Sequence, residues 1–243
     1  MIPRRLCEQV RADYRQYCAT APDAAEHTDE RGLHDRLANF HLVSEAALRV
    51  GTNHRVMRVL DAWFGERASI YSSLTFERGT QQEIHSDAVF FRTEPPGRFL
   101  AFWVALEDVH PLAGPLTYHP GAHRDPVVPR PIEGDDDLGA VWEEFERDLI
   151  ASAEATAPRV EVCPQQGDVL IWHPHLPHGG APVLDPGRTR ASIVFHCVPE
   201  GMPVSGPEVF FGVAPPSREA PPTAKRFGRR YVSNGWTHFA PDT

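Results

Sequence analysis

Between residues 69 and 200 the chain alternates short apolar runs with Gly- and Pro-containing turns, and this texture limits the folds open to it. The runs at 70–76, 84–91, 99–106, 115–118, 159–163, 168–172 and 190–198 have strand length and are mostly rich in β-branched or aromatic residues. Most of the 24 prolines fall between them, because proline cannot donate to a sheet ladder. Short strands with turn signals between them predict an antiparallel sandwich or jelly roll.

Upstream the pattern changes. Residues 2–18 and roughly 35–65 read as helical, with Leu37, Phe40, Leu42, Val43, Ala46, Leu48 and Val50 and few breakers in the second stretch. Residues 203–222 are Pro-rich, a wrapping segment or linker, and 225–239 read as a docked tail. There are no internal repeats. The expectation is one domain over 1–243: a helical part at about 1–66, a β core at about 69–200 and a tail at about 201–243.

Within that frame, His, Asp and Arg fall in a telling order. His-x-Asp is a common pattern, found at His27/Asp29, His85/Asp87 and His123/Asp125 in a chain with 13 His. Context separates the three. His27 and Asp29 lie in a polar stretch without apolar alternation, and His123 follows the turn signal Pro120-Gly121-Ala122. His85 and Asp87 are flanked by Ile84 and by Val89-Phe90-Phe91, and on an extended segment residues two apart share a face.

A second histidine comes from Trp172-His173-Pro174-His175-Leu176-Pro177-His178-Gly179-Gly180. The prolines hide strand phase, so His173, His175 and His178 all compete. A zinc site using all three is disfavoured, because the prolines break the regularity that would converge them and no Cys lies nearby. His178 is preferred, since Gly179-Gly180 lets the backbone approach a metal or ligand closely. Two imidazoles and a carboxylate would hold one face of Fe(II), leaving positions for a chelating cosubstrate and O2. Arg190 follows, a permanent cation able to grip a carboxylate through paired hydrogen bonds. Alternation puts Ala191, Ile193, Phe195 and Cys197 on one face, and Arg190, Ser192 and His196 on the other. The competing Arg188 lies in a turn, Asp185-Pro186-Gly187-Arg188, and reads as a surface charge.

At this point the chain resembles the phytanoyl-CoA dioxygenase-type branch of the iron(II)/2-oxoglutarate oxygenases, from about residue 38 to 199. The resemblance rests on ordered motifs: His85-Ser86-Asp87; Trp103 in Phe102-Trp103-Val104; Gly114-Pro115-Leu116 through Pro120-Gly121-Ala122-His123; and Gly167-Asp168-Val169-Leu170 leading to His178 and Arg190. It implies a mainly β fold, a double-stranded β-helix (jelly roll, cupin-like) core with N-terminal and flanking α-helices. It also implies that His85, Asp87 and His178 bind Fe(II), that 2-oxoglutarate chelates the metal with Arg190 on its 5-carboxylate, and that Trp103 lies beside the cosubstrate. The reaction implied consumes O2, converts 2-oxoglutarate to succinate and carbon dioxide, and oxidises a substrate C–H bond. Halogenases of this class carry a small residue where Asp87 stands, so hydroxylation, desaturation or ring closure is expected. The chain departs from the family pattern in Ala122, usually Ser, and in Gly180, where Ser often helps bind 2-oxoglutarate. The His178-to-Arg190 spacing is also about one residue longer than usual.

Composition narrows the partners. A net charge of -9 argues against nucleic acid, and no apolar run approaches membrane-spanning length. Met1-Ile2-Pro3-Arg4-Arg5 leads into an amphipathic stretch rather than a signal peptide. Cys7, Cys18, Cys163 and Cys197 form no CxxC pair, which favours reduced thiols and a cytoplasmic location. The acidic segment 133–148, with Glu133, Asp135, Asp136, Asp137, Glu143, Glu144, Glu146 and Asp148, reads either as a solvated helix with its N-cap or as a lid. As a lid it would attract a cationic small molecule, such as an amine-bearing natural product of secondary metabolism, an antibiotic for example. Two other readings compete: a cupin-type metalloenzyme that needs no 2-oxoglutarate, and a non-catalytic jelly-roll ligand-binding protein.

Overall fold

In the computed structural model, which describes residues 1–132 and 134–240, strand and helix boundaries follow the Gly/Pro punctuation closely. Glu133 of the acidic run and the last three residues of the tail lie outside the described residues. The elements run α1 (Arg4–Thr20), β1 (Arg36–Ala38), α2 (Glu45–Gly51), α3 (His54–Phe64), β2 (Ala68–Phe76), β3 (Leu100–Ala105) and β4 (Leu116–Tyr118). They continue with α4 (Leu138–Thr156), β5 (Val160–Val162), β6 (Val169–Trp172), β7 (His178–Gly180) and β8 (Ser192–Pro199). The chain closes with α5 (Pro207–Phe210), β9 (Thr223–Arg226), β10 (Arg229–Val232) and β11 (His238–Ala240).

The larger sheet has the order β11-β1-β2-β8-β3-β6, and the smaller one β5-β4-β7. β2, β8, β3 and β6 pair antiparallel, Trp103 opposing Val194 on one side and Leu170 on the other. This is the jelly-roll core implied by the resemblance. Alternation along β8 divides two apolar layers. Ile193, Phe195 and Cys197 join Leu37, Met57 and Leu60 in a core beneath α1–α3, while Val194 and Val198 join Trp103 and Trp172 between the sheets. Burying each large side chain of this kind stabilises the fold by about 1.5–3 kcal/mol.

Two expectations need correction. Residues 35–65 are not one helical stretch: Leu37 and Ala38 pair with Thr75 and Leu74 of β2, and β1 also pairs with β11. The helical part begins only at Ser44, whose hydroxyl accepts from Ala47 N, and restarts at Asn53, whose side chain accepts from Arg55 N and Val56 N. Nor is 84–91 a strand. Ser86 is extended, but the chain turns into a 3-10 helix at Asp87–Val89, with only an isolated bridge between His85 and His178.

The tail docks along the helical side. β9 and β10 form an antiparallel pair, β10 runs parallel to β2 with Tyr231 opposite Ile70, and Arg229 makes paired 2.7 Å hydrogen bonds to Asp61 of α3. Within the Pro-rich stretch, Phe211 is buried against Val141, Phe145 and Leu149 of α4. No helix among the described residues is long and apolar enough to cross a membrane.

Candidate metal and cosubstrate site

Gly179 and Gly180 set the geometry of the site. A Cβ on Gly179 would meet Gln82 O at 2.6 Å, and one on Gly180 would meet Gln81 N at 2.8 Å. β7 can therefore press against the 81–83 backbone only because both residues lack side chains. The close approach expected of this glycine pair is thus to the strap carrying His85. The strap is pinned by His85 N donating to His178 O at 2.9 Å and by His178 N donating to His85 O at 3.1 Å. A Ser in place of Gly180 would press on the 81–82 backbone and require the strap to shift.

The bridge brings the two imidazoles together, with ring centroids 4.3 Å apart. Asp87 Oδ1 lies 4.0 Å from His85 Nε2 and 3.8 Å from His178 Nε2. Among the described residues, His85, Asp87 and His178 form the cluster of ligand atoms able to hold a metal ion, all within 4.8 Å of one another. Their hydrogen bonds fit that task. His85 Nδ1 pairs with Glu83 O at 2.9 Å and His178 Nδ1 with Leu176 O at 2.8 Å. A carbonyl can only accept, so each Nδ1 carries the proton and each Nε2 presents a lone pair to the centre of the cluster. Burial, reinforced by nearby His178, pushes the His85 imidazole below its ordinary value, favouring the neutral form that can act as a ligand. Burial works against ionisation of Asp87, but His178, His196, His85 and the Trp172 indole together hold its carboxyl below the usual range. Two neutral imidazoles and a carboxylate are a donor set suited to Fe(II).

Around this cluster lies an inner chamber lined by Trp103, Trp172, Arg190 and His196, among others. Arg190 is 3% exposed, and its guanidinium carbon lies 5.7 Å from the Trp103 ring and 5.9 Å from that of Phe76. Arg188 is instead a turn residue, its Nε 2.8 Å from Asp185 Oδ2 with 42% of its side chain exposed. The structure thus gathers His85, Asp87, His178, Trp103 and Arg190 around one chamber. His173 and His175 are excluded from it: His173 groups with His175, His123 and Trp63. His27 pairs with Asp35, and Asp29 with Arg31 and Arg78.

Sequence reasoning passed over Trp172, whose Nε1 donates to Asp87 Oδ2 at 2.8 Å. Its phase with Leu170 on β6 was a usable sign that it faces the interior. It also passed over Thr80 and Gln82, which with His85 line both the inner chamber and a second, outer one. Of the described acidic residues of the 133–148 run, Glu146 alone lines a chamber, the outer one. Asp137 caps α4, accepting from Ala140 N at 3.2 Å, and Arg130 joins Asp136 to Glu144 at 2.6 and 2.9 Å. The contribution of this segment to the site comes from α4 itself, which supplies Trp142, Phe145, Glu146 and Leu149 to the outer chamber.

Residues 2–191 match the model of a family described as phytanoyl-CoA dioxygenase. The chain belongs to the phytanoyl-CoA dioxygenase family. The donor set of the triad is of the kind expected of the iron(II)/2-oxoglutarate oxygenases that its motifs resemble. Peroxisomal phytanoyl-CoA dioxygenase of Rattus norvegicus is 27% identical over 117 residues, 47% of this chain and 31% of the rat protein. Phytanoyl-CoA dioxygenase domain-containing protein 1 of Bos taurus is 27% identical over 145 residues, 51% of this chain and 50% of that protein. The chain spans half or less of these curated relatives. Among solved structures, EctD from S. alaskensis with 2-oxoglutarate and 5-hydroxyectoine superposes with a TM-score of 0.65 at 20% identity, covering all 100% of this chain and 82% of that one. The epimerase SnoN in complex with Fe3+, alpha ketoglutarate and nogalamycin RO gives a TM-score of 0.61 at 21% identity, covering 94% of this chain and 90% of that one. At such identities the likeness is one of fold, and it establishes the jelly roll.

Proposed function

We propose that this protein is an Fe(II)- and 2-oxoglutarate-dependent oxygenase that oxidises a C–H bond of a small molecule. The observation that carries the reading is the orientation of the triad. Both Nδ1 atoms are committed to backbone carbonyls, so His85 and His178 offer Nε2 to the same point as Asp87 Oδ1.

In this reading His85, Asp87 and His178 hold the metal, and Trp172 keeps one Asp87 oxygen occupied so that the other is aimed inward. Arg190 binds the distal carboxylate of 2-oxoglutarate from within a buried, aromatic-walled end of the chamber, where a charge-assisted hydrogen bond is strong. Trp103 walls that end and excludes water from it. Bound there, iron and 2-oxoglutarate supply the oxidising power, with succinate and carbon dioxide as coproducts. A carboxylate at Asp87, rather than a small residue, favours hydroxylation, desaturation or ring closure over halogenation.

An amine-bearing natural product is the substrate type this reading favours, in a cytoplasmic enzyme of secondary metabolism. Support comes from the acidic rim of the outer chamber and from four free cysteines, Cys7, Cys18, Cys163 and Cys197. The test is anaerobic reconstitution with Fe(II) and 2-oxoglutarate followed by exposure to oxygen. Iron-dependent succinate formation is expected, and metal binding without any consumption of 2-oxoglutarate would favour the cupin-type alternative instead.

A further inference from the structure

The outer chamber has a volume of about 460 Å³ and lies between the 80–90 strap and α4. That is the size of a site for a drug-sized molecule. It shares Thr80, Gln82 and His85 with the inner chamber, so a molecule held there lies beside the triad. α4 contributes one stripe at helical spacing, Trp142, Phe145, Glu146 and Leu149. A larger groove, of about 650 Å³, lies on the helical side among Arg5, Arg49, His54 and Phe227, and contains no residue of the triad.

The lining of the outer chamber is graded. Ile84, Val89, Phe145 and Leu149 are buried and form its apolar depth, whereas Glu83, Phe90 and Glu146 are exposed at the rim. Among the described residues no Lys or Arg lines it, so the negative charge of Glu83 and Glu146 is not cancelled within the chamber. Trp142 is held rigidly. Its Nε1 donates to Glu146 Oε1 at 2.8 Å, its ring stacks on Phe211 at 5.0 Å, and Phe90 approaches at 6.0 Å. An indole fixed beside a carboxylate is a favourable setting for an organic cation, which gains from both the ring quadrupole and the charge.

Building on the oxygenase reading above, we infer that the outer chamber recognises a protonated amine carried on a cyclic, mostly apolar body. Glu83 and Glu146 supply the counter-charge and Trp142 with Phe90 the aromatic clamp. The nitrogen stays at the rim while the carbon skeleton fills the apolar depth, so the carbon presented for oxidation is one remote from the amine. Specificity for the cation resides in these residues, and Asp135, Asp136 and Asp137 play no direct part in it.

The test uses the full chain, loaded anaerobically with Fe(II) and 2-oxoglutarate, and three probes of similar shape: phenethylammonium, 2-phenylethanol and 3-phenylpropanoate. Ligand-observed NMR titration is expected to show phenethylammonium binding about tenfold more tightly than the alcohol at low salt, the scale of one cation–π contact plus a partly exposed charge pair. The carboxylate is expected to bind weakest. In the double variant Glu83→Gln/Glu146→Gln the preference for the ammonium is expected to collapse. The amide introduced by Glu146→Gln keeps an oxygen for the Trp142 indole, so the wall stays in place. The triple variant Asp135→Asn/Asp136→Asn/Asp137→Asn is expected to retain the preference. Equal binding of all three probes overturns the inference, as does a preference that survives the double variant or disappears in the triple one. Succinate formation by the unaltered protein is measured in parallel. Its absence would sink the oxygenase reading while leaving the charge preference to be judged on its own.

Discussion

Trp172 Nε1 donates a 2.8 Å hydrogen bond to Asp87 Oδ2, reaching from the end of β6 to the 3-10 turn that follows His85. The bond occupies the one carboxylate oxygen that does not face His85 and His178. Trp172→Phe keeps an aromatic ring beside Trp103 but removes the donor, with the loss of some buried packing. Outer hydrogen bonds of this kind are typically worth about 10–100-fold in metal affinity. Anaerobic Fe(II) titration of the folded variant is expected to show a loss of that order, beyond a modest drop in thermal stability from the lost packing. Unaltered iron affinity would mean that Asp87 is oriented by the turn alone.

The triad itself gives a sharper contrast. His85→Ala, Asp87→Ala and His178→Ala are each expected to abolish iron-dependent succinate formation, while His173→Ala and His175→Ala retain at least part of it. The basis is spatial: His173 packs against His123, Trp63 and His175, and neither His173 nor His175 lines the chamber that holds the cluster. An inactive His175→Ala beside an active His178→Ala would relocate the metal.

Arg190 and Arg188 differ in burial, and their variants are expected to differ accordingly. Removing one partner of a buried charge pair typically costs about 3–5 kcal/mol. Arg190→Ala should therefore raise the 2-oxoglutarate concentration needed for turnover by about a hundredfold or more, at roughly 1.4 kcal/mol per factor of ten. Arg188→Ala touches only a half-exposed pair with Asp185 and should shift it by less than about fivefold. The opposite ranking, read from steady-state succinate formation against 2-oxoglutarate concentration, would move the anchor to Arg188.

Gly180 offers a test of the strap. Gly180→Ser adds the residue that family members often carry, yet its Cβ would lie 2.8 Å from Gln81 N and 3.1 Å from Gln82 N. The backbone of 81–82 must then move, and His85 with it. Weakened iron binding and a loss of overall stability of about 1–3 kcal/mol are expected, the usual cost of overpacking. A variant with native iron affinity and improved 2-oxoglutarate binding would show that the strap yields without cost.

What the sequence disclosed depended on how local the signal was. Apolar context separated His85/Asp87 from two decoys, and the alternation Ala191, Ile193, Phe195, Cys197 put Arg190 and His196 on the inner face, because both signals span only a few residues. β1 escaped notice because Leu37 and Ala38 run into the apolar pattern of the 3-10 turn and helix that follow, and only pairing with β2 and β11 marks them as strand. β7 is three residues long and hidden behind Pro177, so its register against β4 and its bridge to His85 are tertiary facts. The acidic run is the capped helix that one of its two readings expects, but which of its acids face the chamber is again a tertiary fact. Charge counts do not tell that Asp137 is spent on a helix cap and Asp136 on Arg130, while Glu146 reaches the chamber.

Acid sensitivity should trace in part to His41, which is 2% exposed beneath β2, with Nδ1 2.7 Å from Ser73 Oγ and its ring against Phe195 and Tyr231. Burial, with a contribution from nearby His196, pushes it from 6.5 down to about 3. Above pH 6.5 the residue is neutral in both folded and unfolded chains and contributes no pH dependence. Between 6.5 and 3 the unfolded chain takes up a proton that the folded one refuses, so stability falls as the pH falls, at up to about 1.4 kcal/mol per pH unit for one proton. His196, pushed down to about 4 by burial, adds in the same direction. His41→Asn keeps a polar partner for Ser73 but cannot titrate. Urea unfolding of the variant from about pH 7 to about pH 4 is expected to show a pH slope shallower by about one proton than that of the parent chain, whatever its absolute stability. Parallel slopes for the two proteins would mean that His41 protonates in place and that the acid limb belongs to other groups.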